Sequence, residues 1–81
     1  MSAEKILKCW EVKLPPMQKI VLMALADEAG GRSSFTNASY LAKIACVSRG
    51  TVLRVVKELE AKGILVRAKP KQGFWHYELK V

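Results

Sequence analysis

The sequence predicts a small α+β domain that is mainly helical. Apolar residues recur at helical spacing through most of residues 16–62, whereas residues 64–81 alternate with a period of two, as strands do. A chain of 81 residues suits one domain with a single core. Its content of 51% hydrophobic and 26% charged residues is typical of a folded globular protein and argues against a disordered tail.

The N-terminal residues 1–14 are expected to form an arm or a short strand. From Trp10 to Leu14, apolar side chains alternate with charged ones, which is the period of an extended segment. We expect Trp10 to cover the core from this arm. The domain proper is then expected over residues 15–81.

A first helix is predicted to begin near Pro16 and to run to residue 29. Proline is favourable in a first helical turn, and Gly30 and Gly31 end the pattern. Because residues 20–26 are apolar on nearly every side, this helix is expected to be the structural spine, packed around most of its circumference. Residues 30–36 are predicted to form a polar loop.

Two further helices follow, separated by a tight turn. Asn37 is predicted to cap a short helix over residues 38–45, and Ser48 a longer helix over residues 49–62. Gly63 ends the second of these helices. The longer helix is predicted to have a packing face and an outward face, and the latter consists of Gly50, Leu53, Arg54, Lys57 and Ala61.

The last segment is predicted to be a β-hairpin. Its strands cover residues 64–69 and 74–81, and the turn between them carries Lys69 and Lys71. Trp75 has the same phase as Tyr77 and Leu79, which favours a place in the core over stacking on a base.

Charge distribution indicates the class of partner. The formal net charge is +7, and residues 33–81 hold nine basic side chains against three acidic ones. A short helix, a turn and a longer helix with a basic outward face are typical of the helix-turn-helix, whose second helix enters the DNA major groove. With the basic hairpin that follows, the sequence predicts a winged helix-turn-helix that binds double-stranded DNA.

Several segments resemble a known family. The stretches LPPMQKIVLMALADEAG and NASYLAKIACVSRGTVLRVVKELEAKGIL and the closing YEL are similar to the helix-turn-helix domain of phage and plasmid replication proteins. This resemblance covers residues 14–81 and implies DNA binding, in replication initiation or in transcription regulation.

The chain departs from the family pattern at three positions. The family usually has a polar or basic residue where Gly50 stands, and often a polar one where Leu53 stands. Gly50 is expected to let the backbone approach DNA closely. Leu53 either touches a thymine methyl group or packs against the arm or a second subunit. Cys46 stands where glycine is common, and we expect both it and Cys9 to be buried, reduced thiols.

The candidate DNA-binding residues come from both helices of the unit and from the hairpin turn over residues 69–73. Tyr40 is as consistent with half-buried packing as with a phosphate contact. The full set is Asn37, Ser39, Tyr40, Lys43, Ser48, Arg49, Gly50, Thr51, Leu53, Arg54, Lys57, Lys69, Lys71 and Gln72.

Other functions are expected to be absent. The sequence has no nucleophile–base–orienter set, no glycine-rich phosphate loop and no metal-ligand spacing, so we expect no enzyme activity, no cofactor and no metal. No apolar run is long enough for a membrane span, and a cytoplasmic location is expected. A homodimer or a larger replication or transcription assembly is left open. The alternative function is a protein–protein interaction module that uses exposed Leu53 and Phe74.

Overall fold

The computed structural model describes residues 3–29, 34–68 and 74–80. In these residues the chain forms a mainly helical α+β fold, as predicted, in which a helix-turn-helix is followed by a β-hairpin. The elements are α1 (Ala3–Glu11), α2 (Pro16–Ala29), β1 (Ser34–Thr36), α3 (Ala38–Ala45), α4 (Arg49–Ala61), β2 (Leu65–Arg67) and β3 (Trp75–Leu79).

The N-terminal segment is a helix, so the predicted strand or extended arm is wrong. The alternation that suggested a strand falls largely beyond the end of α1 at Glu11. Within α1, Ile6 and Cys9 are three residues apart and lie on one side of the helix, where Cys9 is fully buried in the common core. Trp10 does not cover the core, because 60% of it is exposed. The domain boundary between residues 14 and 15 stays a prediction.

Helix α2 has the predicted bounds and occupies the centre of the helical layer. It packs against α1, α3 and α4, and buries Val21, Leu22 and Leu25 completely. Less of its surface is covered by other elements than predicted, because Met17 and Ile20 remain partly exposed. Burial of Val21, Leu22 and Leu25 contributes on the order of 1.5–3 kcal/mol for each side chain.

Lys19 joins α2 to the end of α1. Its ammonium group donates hydrogen bonds to the carbonyl oxygens of Cys9, at 3.0 Å, and Trp10, at 2.7 Å, and also to that of Val12. A helix leaves its last four C=O groups without a partner in the helix itself, and the carbonyl of Cys9 also accepts from the backbone N–H of Val12 at 3.3 Å. A lysine from the next helix therefore caps α1.

In the part of the chain that the structure describes, the sheet has three strands in the order β1–β3–β2, and both pairs are antiparallel. Strand β1 lies in the segment predicted to be a polar loop, so that prediction is wrong for Ser34–Thr36. Three residues are too few to show a period of two, and β1 depends on pairing with β3, where Thr36 faces Trp75. The predicted core position of Trp75 is confirmed, since it is 4% exposed.

A buried tyrosine connects the sheet to α2. Tyr77 of β3 is fully buried, and its hydroxyl donates to the carbonyl oxygen of Leu25 at 2.8 Å. The same hydroxyl lies 3.1 Å from one carboxyl oxygen of Glu28, whose other oxygen accepts from Thr36 Oγ1 at 3.0 Å. Burial raises the pKa of Glu28 above its ordinary value of 4.5, although both hydrogen bonds act in the opposite direction. Burial, followed by the charge of Glu28, raises the pKa of Tyr77.

The hairpin is held against α4 at its base. Arg67 of β2 forms an ion pair with Glu60 of α4 at 2.8 Å, and its guanidinium lies 4.9 Å from the centre of the Trp75 ring. Such stacking of a guanidinium on an indole adds about 0.5–1 kcal/mol at exposed sites and more when water is excluded. The predicted turn with Lys69, Lys71 and Gln72 lies outside the described residues.

We expect the Glu28→Gln variant to differ from the wild type in its response to pH. Because the folded protein raises the pKa of Glu28, ionising this carboxyl costs folding free energy. The wild type should therefore lose stability relative to the variant as the pH rises from below 4.5 to neutral. Urea denaturation over a pH series measures this difference, and a difference that does not change with pH would contradict the assignment.

Gly63 offers a test of the connection between α4 and β2. It has φ 75°, a left-handed conformation, and its N–H donates to the carbonyl of Glu60 at 3.0 Å. A Cβ would meet no atom within 4 Å, so Gly63→Ala should act through backbone strain alone. We expect the free energy of unfolding to fall by about 1–2 kcal/mol in urea denaturation. An unchanged midpoint would show that the turn relaxes freely.

Candidate nucleic-acid interface

Helix α3 begins at the predicted cap. Asn37 has an extended backbone, and its side-chain oxygen accepts a hydrogen bond from the backbone N–H of Tyr40 at 2.8 Å. This bond satisfies one of the N–H groups that a helix start leaves unpaired. Asn37 is therefore occupied as a cap, whereas Ser39 and Tyr40 in the first turn are exposed.

The turn between α3 and α4 depends on Cys46. This residue has φ 59° and ψ 42°, the left-handed conformation that glycine adopts most readily, and Val47 N then donates to the carbonyl of Ala42 at 3.1 Å. That geometry is a physical reason for glycine to be common at this position. The prediction of a buried thiol is correct for Cys9 and wrong for Cys46, which is exposed.

Helix α4 begins at Ser48, also as predicted. Ser48 Oγ accepts from the backbone N–H of Thr51 at 3.1 Å and lies 2.8 Å from the Thr51 hydroxyl. No acidic residue occupies the first turn of α4, and its first residue, Arg49, is exposed. The positive end of the helix dipole is therefore combined with a cation, which suits this end to an anion.

The outer face of α4 is a line of four exposed residues. Val52, Val55, Val56 and Leu59 fill the opposite face and are fully buried. Leu53 was predicted to lie on the outward face, but its side chain is half-buried and packs against the core. The exposed line, called the α4 line below, consists of Gly50, Arg54, Lys57 and Ala61.

Eight of the basic side chains fall into two groups. Four of them are used inside the molecule: Lys19 on the α1 carbonyls, Lys62 on Gln18, Arg67 on Glu60 and Lys80 on Glu78. Four others lie on α3 and α4, are exposed, and form no hydrogen bond or ion pair with any residue in the described part of the chain. These unpaired cations of the helix-turn-helix are Lys43, Arg49, Arg54 and Lys57.

A cavity of about 210 Å³ lies beside the start of α3 and was not predicted from the sequence. The residues that line it come from α2, from β1 and α3, and from the position immediately before β3. Because they are far apart in the sequence, no local sequence pattern predicts this cavity. Two of its walls are the partly exposed aromatic side chains of Tyr40 and Phe74, and the others are Glu28, Thr36 and Asn37.

Neither a metal-binding cluster nor a membrane-spanning helix occurs in residues 3–29, 34–68 and 74–80. No three His, Cys, Asp or Glu side chains there come close enough together to hold a metal ion. None of the helices described combines the length and apolar character required to cross a bilayer.

Comparison with known proteins identifies the class. The family model for the helix-turn-helix domain matches residues 12–65, which span α2, β1, α3, α4 and the start of β2. The chain belongs to this helix-turn-helix family.

A solved structure has a similar fold. It is described as a "possible transcriptional regulator" from Methanosarcina mazei Go1, and the match has a TM-score of 0.65 with 24% sequence identity. The match covers 100% of this chain and 68% of that one. No curated protein matches the chain in sequence.

Gly50 is a glycine that the fold itself does not require. Among the described glycines only Gly63 has a positive φ, and a Cβ added at Gly50 would meet nothing within 4 Å. Because glycine weakens a helix by roughly 0.5–1 kcal/mol relative to alanine, Gly50→Ala should raise the free energy of unfolding by about that amount. Urea denaturation beside Gly63→Ala checks this, since the two substitutions should act in opposite directions. Destabilisation by Gly50→Ala would reveal an internal need for this glycine.

Proposed function

We propose that this protein binds double-stranded DNA, with α4 as the helix that enters the major groove. The observation that carries the proposal is the group of four unpaired cations on α3 and α4. Duplex DNA offers the partners that these side chains lack within the described molecule, as phosphate groups and as acceptors on base edges, and phosphate contacts dominate the affinity of proteins for DNA. The membership in the helix-turn-helix family supports the same function.

The two helices have different proposed roles. Helix α4 places Gly50, Arg54 and Lys57 toward base edges, while Arg49 and Thr51 at its start approach the backbone. Helix α3 contributes phosphate contacts through Ser39, Tyr40 and Lys43, and the caps Asn37 and Ser48 hold the two helix starts in place. Leu53, on the flank of α4, is proposed to reach DNA only with the part of its side chain that the core leaves exposed.

The hairpin turn is proposed as a second contact. Lys69, Lys71 and Gln72 would follow the phosphate backbone beside the recognition helix, because a donor that meets only phosphate adds affinity without sequence preference. The ion pair between Arg67 and Glu60 supports this arrangement, since it fixes the base of the hairpin against α4.

The proposed biological role is transcription regulation. The name of the structural neighbour from Methanosarcina mazei Go1 points toward this role, whereas replication initiation rests on the sequence resemblance to phage and plasmid proteins. Selection from a pool of random duplexes distinguishes single from paired binding, because an enriched palindrome would indicate two copies of the chain on one site.

The alternative of a protein-interaction module has less support. It requires Leu53 and Phe74 to be exposed together, and Leu53 packs against the core. Phe74 is 51% exposed and is the side chain left for that role.

DNA affinity should fall steeply as salt increases. If the four cations proposed to contact the backbone, Lys43, Arg49, Lys69 and Lys71, each neutralise one phosphate, log K plotted against log salt should have a slope of about −3.6. Fluorescence anisotropy with a labelled duplex over a salt series measures this slope. Absence of binding to any duplex at low salt would reject the proposed function and favour the protein-interaction alternative.

Arg54→Ala should weaken binding to the preferred duplex by about 1–3 kcal/mol and relax the preference at one base pair. Lys13→Ala is the control with a matched charge, because Lys13 is exposed but lies outside the helix-turn-helix.

Lys71→Ala should instead weaken preferred and random duplexes equally and lower the salt slope by about one unit. The same uniform loss in the Arg54 and Lys71 variants would show that Arg54 does not read the sequence.

A further inference from the structure

We infer that α4 reads two neighbouring guanines on one strand of the duplex, one through Arg54 and one through Lys57. The inference rests on the proposed DNA binding and adds to it the base composition of the target. It follows from the chemistry of the α4 line, from the spacing of its residues and from the room at Gly50.

The α4 line contains only cationic and very small side chains. Arg54 and Lys57 are its two long members, and Gly50 and Ala61 are the small ones. No carboxylate, amide or hydroxyl side chain lies on this line, and the two glutamates nearest to it on α4 have partners in the protein. Glu58 accepts from Gln18 at 3.2 Å and Glu60 pairs with Arg67.

Side chains that can only donate hydrogen bonds match one base best. Arginine and lysine carry no acceptor. In the major groove guanine presents two acceptors, N7 and O6, whereas adenine places its amino group beside N7, cytosine presents an amino group and thymine presents a single acceptor, O4, beside its methyl group. A donor facing adenine or cytosine would leave an amino group opposite another donor. Reading adenine or cytosine would call for an amide or a carboxylate, and the α4 line has neither.

The spacing of the two residues corresponds to one step along the DNA. Arg54 and Lys57 are three residues apart, so they lie on the same side of α4, about 4.5 Å apart along its axis. In zinc fingers, residues at this spacing on the helix in the major groove contact successive bases, principally on one strand, and we infer the same relation for α4. The two guanines are therefore adjacent.

Gly50 predicts a position next to the two guanines at which no base is read. It lies four residues before Arg54 on the same line and has no side chain, so the base pair opposite it should show little preference. The open space around its Cα allows the start of α4 to come close to the DNA, which brings the donors of Arg54 and Lys57 within reach of the base edges.

Selection from random duplexes with the wild-type chain is the first test. Two adjacent guanines should be enriched, next to a position without preference. Replacing each guanine in turn with 7-deazaguanine removes the N7 acceptor and keeps base pairing, and should weaken binding by about 5-fold or more. The same replacement in a flanking guanine is the control and should have little effect.

Exchanging the donor for an amide is the second test. Because glutamine pairs with adenine in the major groove, Arg54→Gln should change the preferred base at one position from guanine to adenine, against a wild-type preference for guanine of about 5- to 150-fold. Lys57→Gln should do the same at the adjacent position and leave the first one unchanged. Lys13→Gln is the control for charge, and circular dichroism confirms that each variant is folded.

The outcomes separate the inference from the function on which it rests. Enrichment of adjacent guanines with a separate change of base in each glutamine variant supports the inference. Duplex binding without a guanine preference, or with a preference that neither glutamine variant alters, overturns the inference and leaves DNA binding intact. Absence of duplex binding at low salt overturns both.

Discussion

The hydrogen bond between the Tyr77 hydroxyl and the Leu25 carbonyl joins parts of the chain that are 52 residues apart. Burying a hydroxyl without a partner costs on the order of 1–3 kcal/mol, so the fold is favoured only when β3 lies where this bond can form. Glu28 and Thr36 extend this set of hydrogen bonds to β1, and β1 pairs with β3. Because β3 also pairs with β2, this buried tyrosine positions the hairpin relative to the helices, together with the ion pair between Arg67 and Glu60.

The sequence predicted the elements whose signals are local. Asn37, Ser48 and Gly63 are caps and breakers that act over a few residues, and the helices α3 and α4 begin and end close to them. The buried face of α4 was predicted for the same reason, since Val52, Val55 and Val56 follow helical periodicity. The sequence therefore placed the proposed recognition helix correctly, together with the cations on it.

The elements that were missed depend on distant parts of the chain. Strand β1 exists through pairing with β3, and α1 is completed by Lys19 from the following helix. Leu53 faces outward by angle alone, but it lies at the edge of the buried face and the core covers part of it. The sequence also could not show which basic side chains lack a partner in the protein. Arg67 and Arg54 have the same chemistry, and only the fold places Glu60 beside Arg67.

The short outer strands have a consequence for colloidal behaviour. Both edges of the sheet, β1 and β2, are only three residues long in the part of the chain that the structure describes. A long, flat edge offers a row of unpaired amide and carbonyl groups on which another chain can add a strand, which is a common route to aggregation. Here each edge offers only a brief template. A small basic protein that must remain dispersed at the high local concentrations found along a polyanion benefits from edges of this kind.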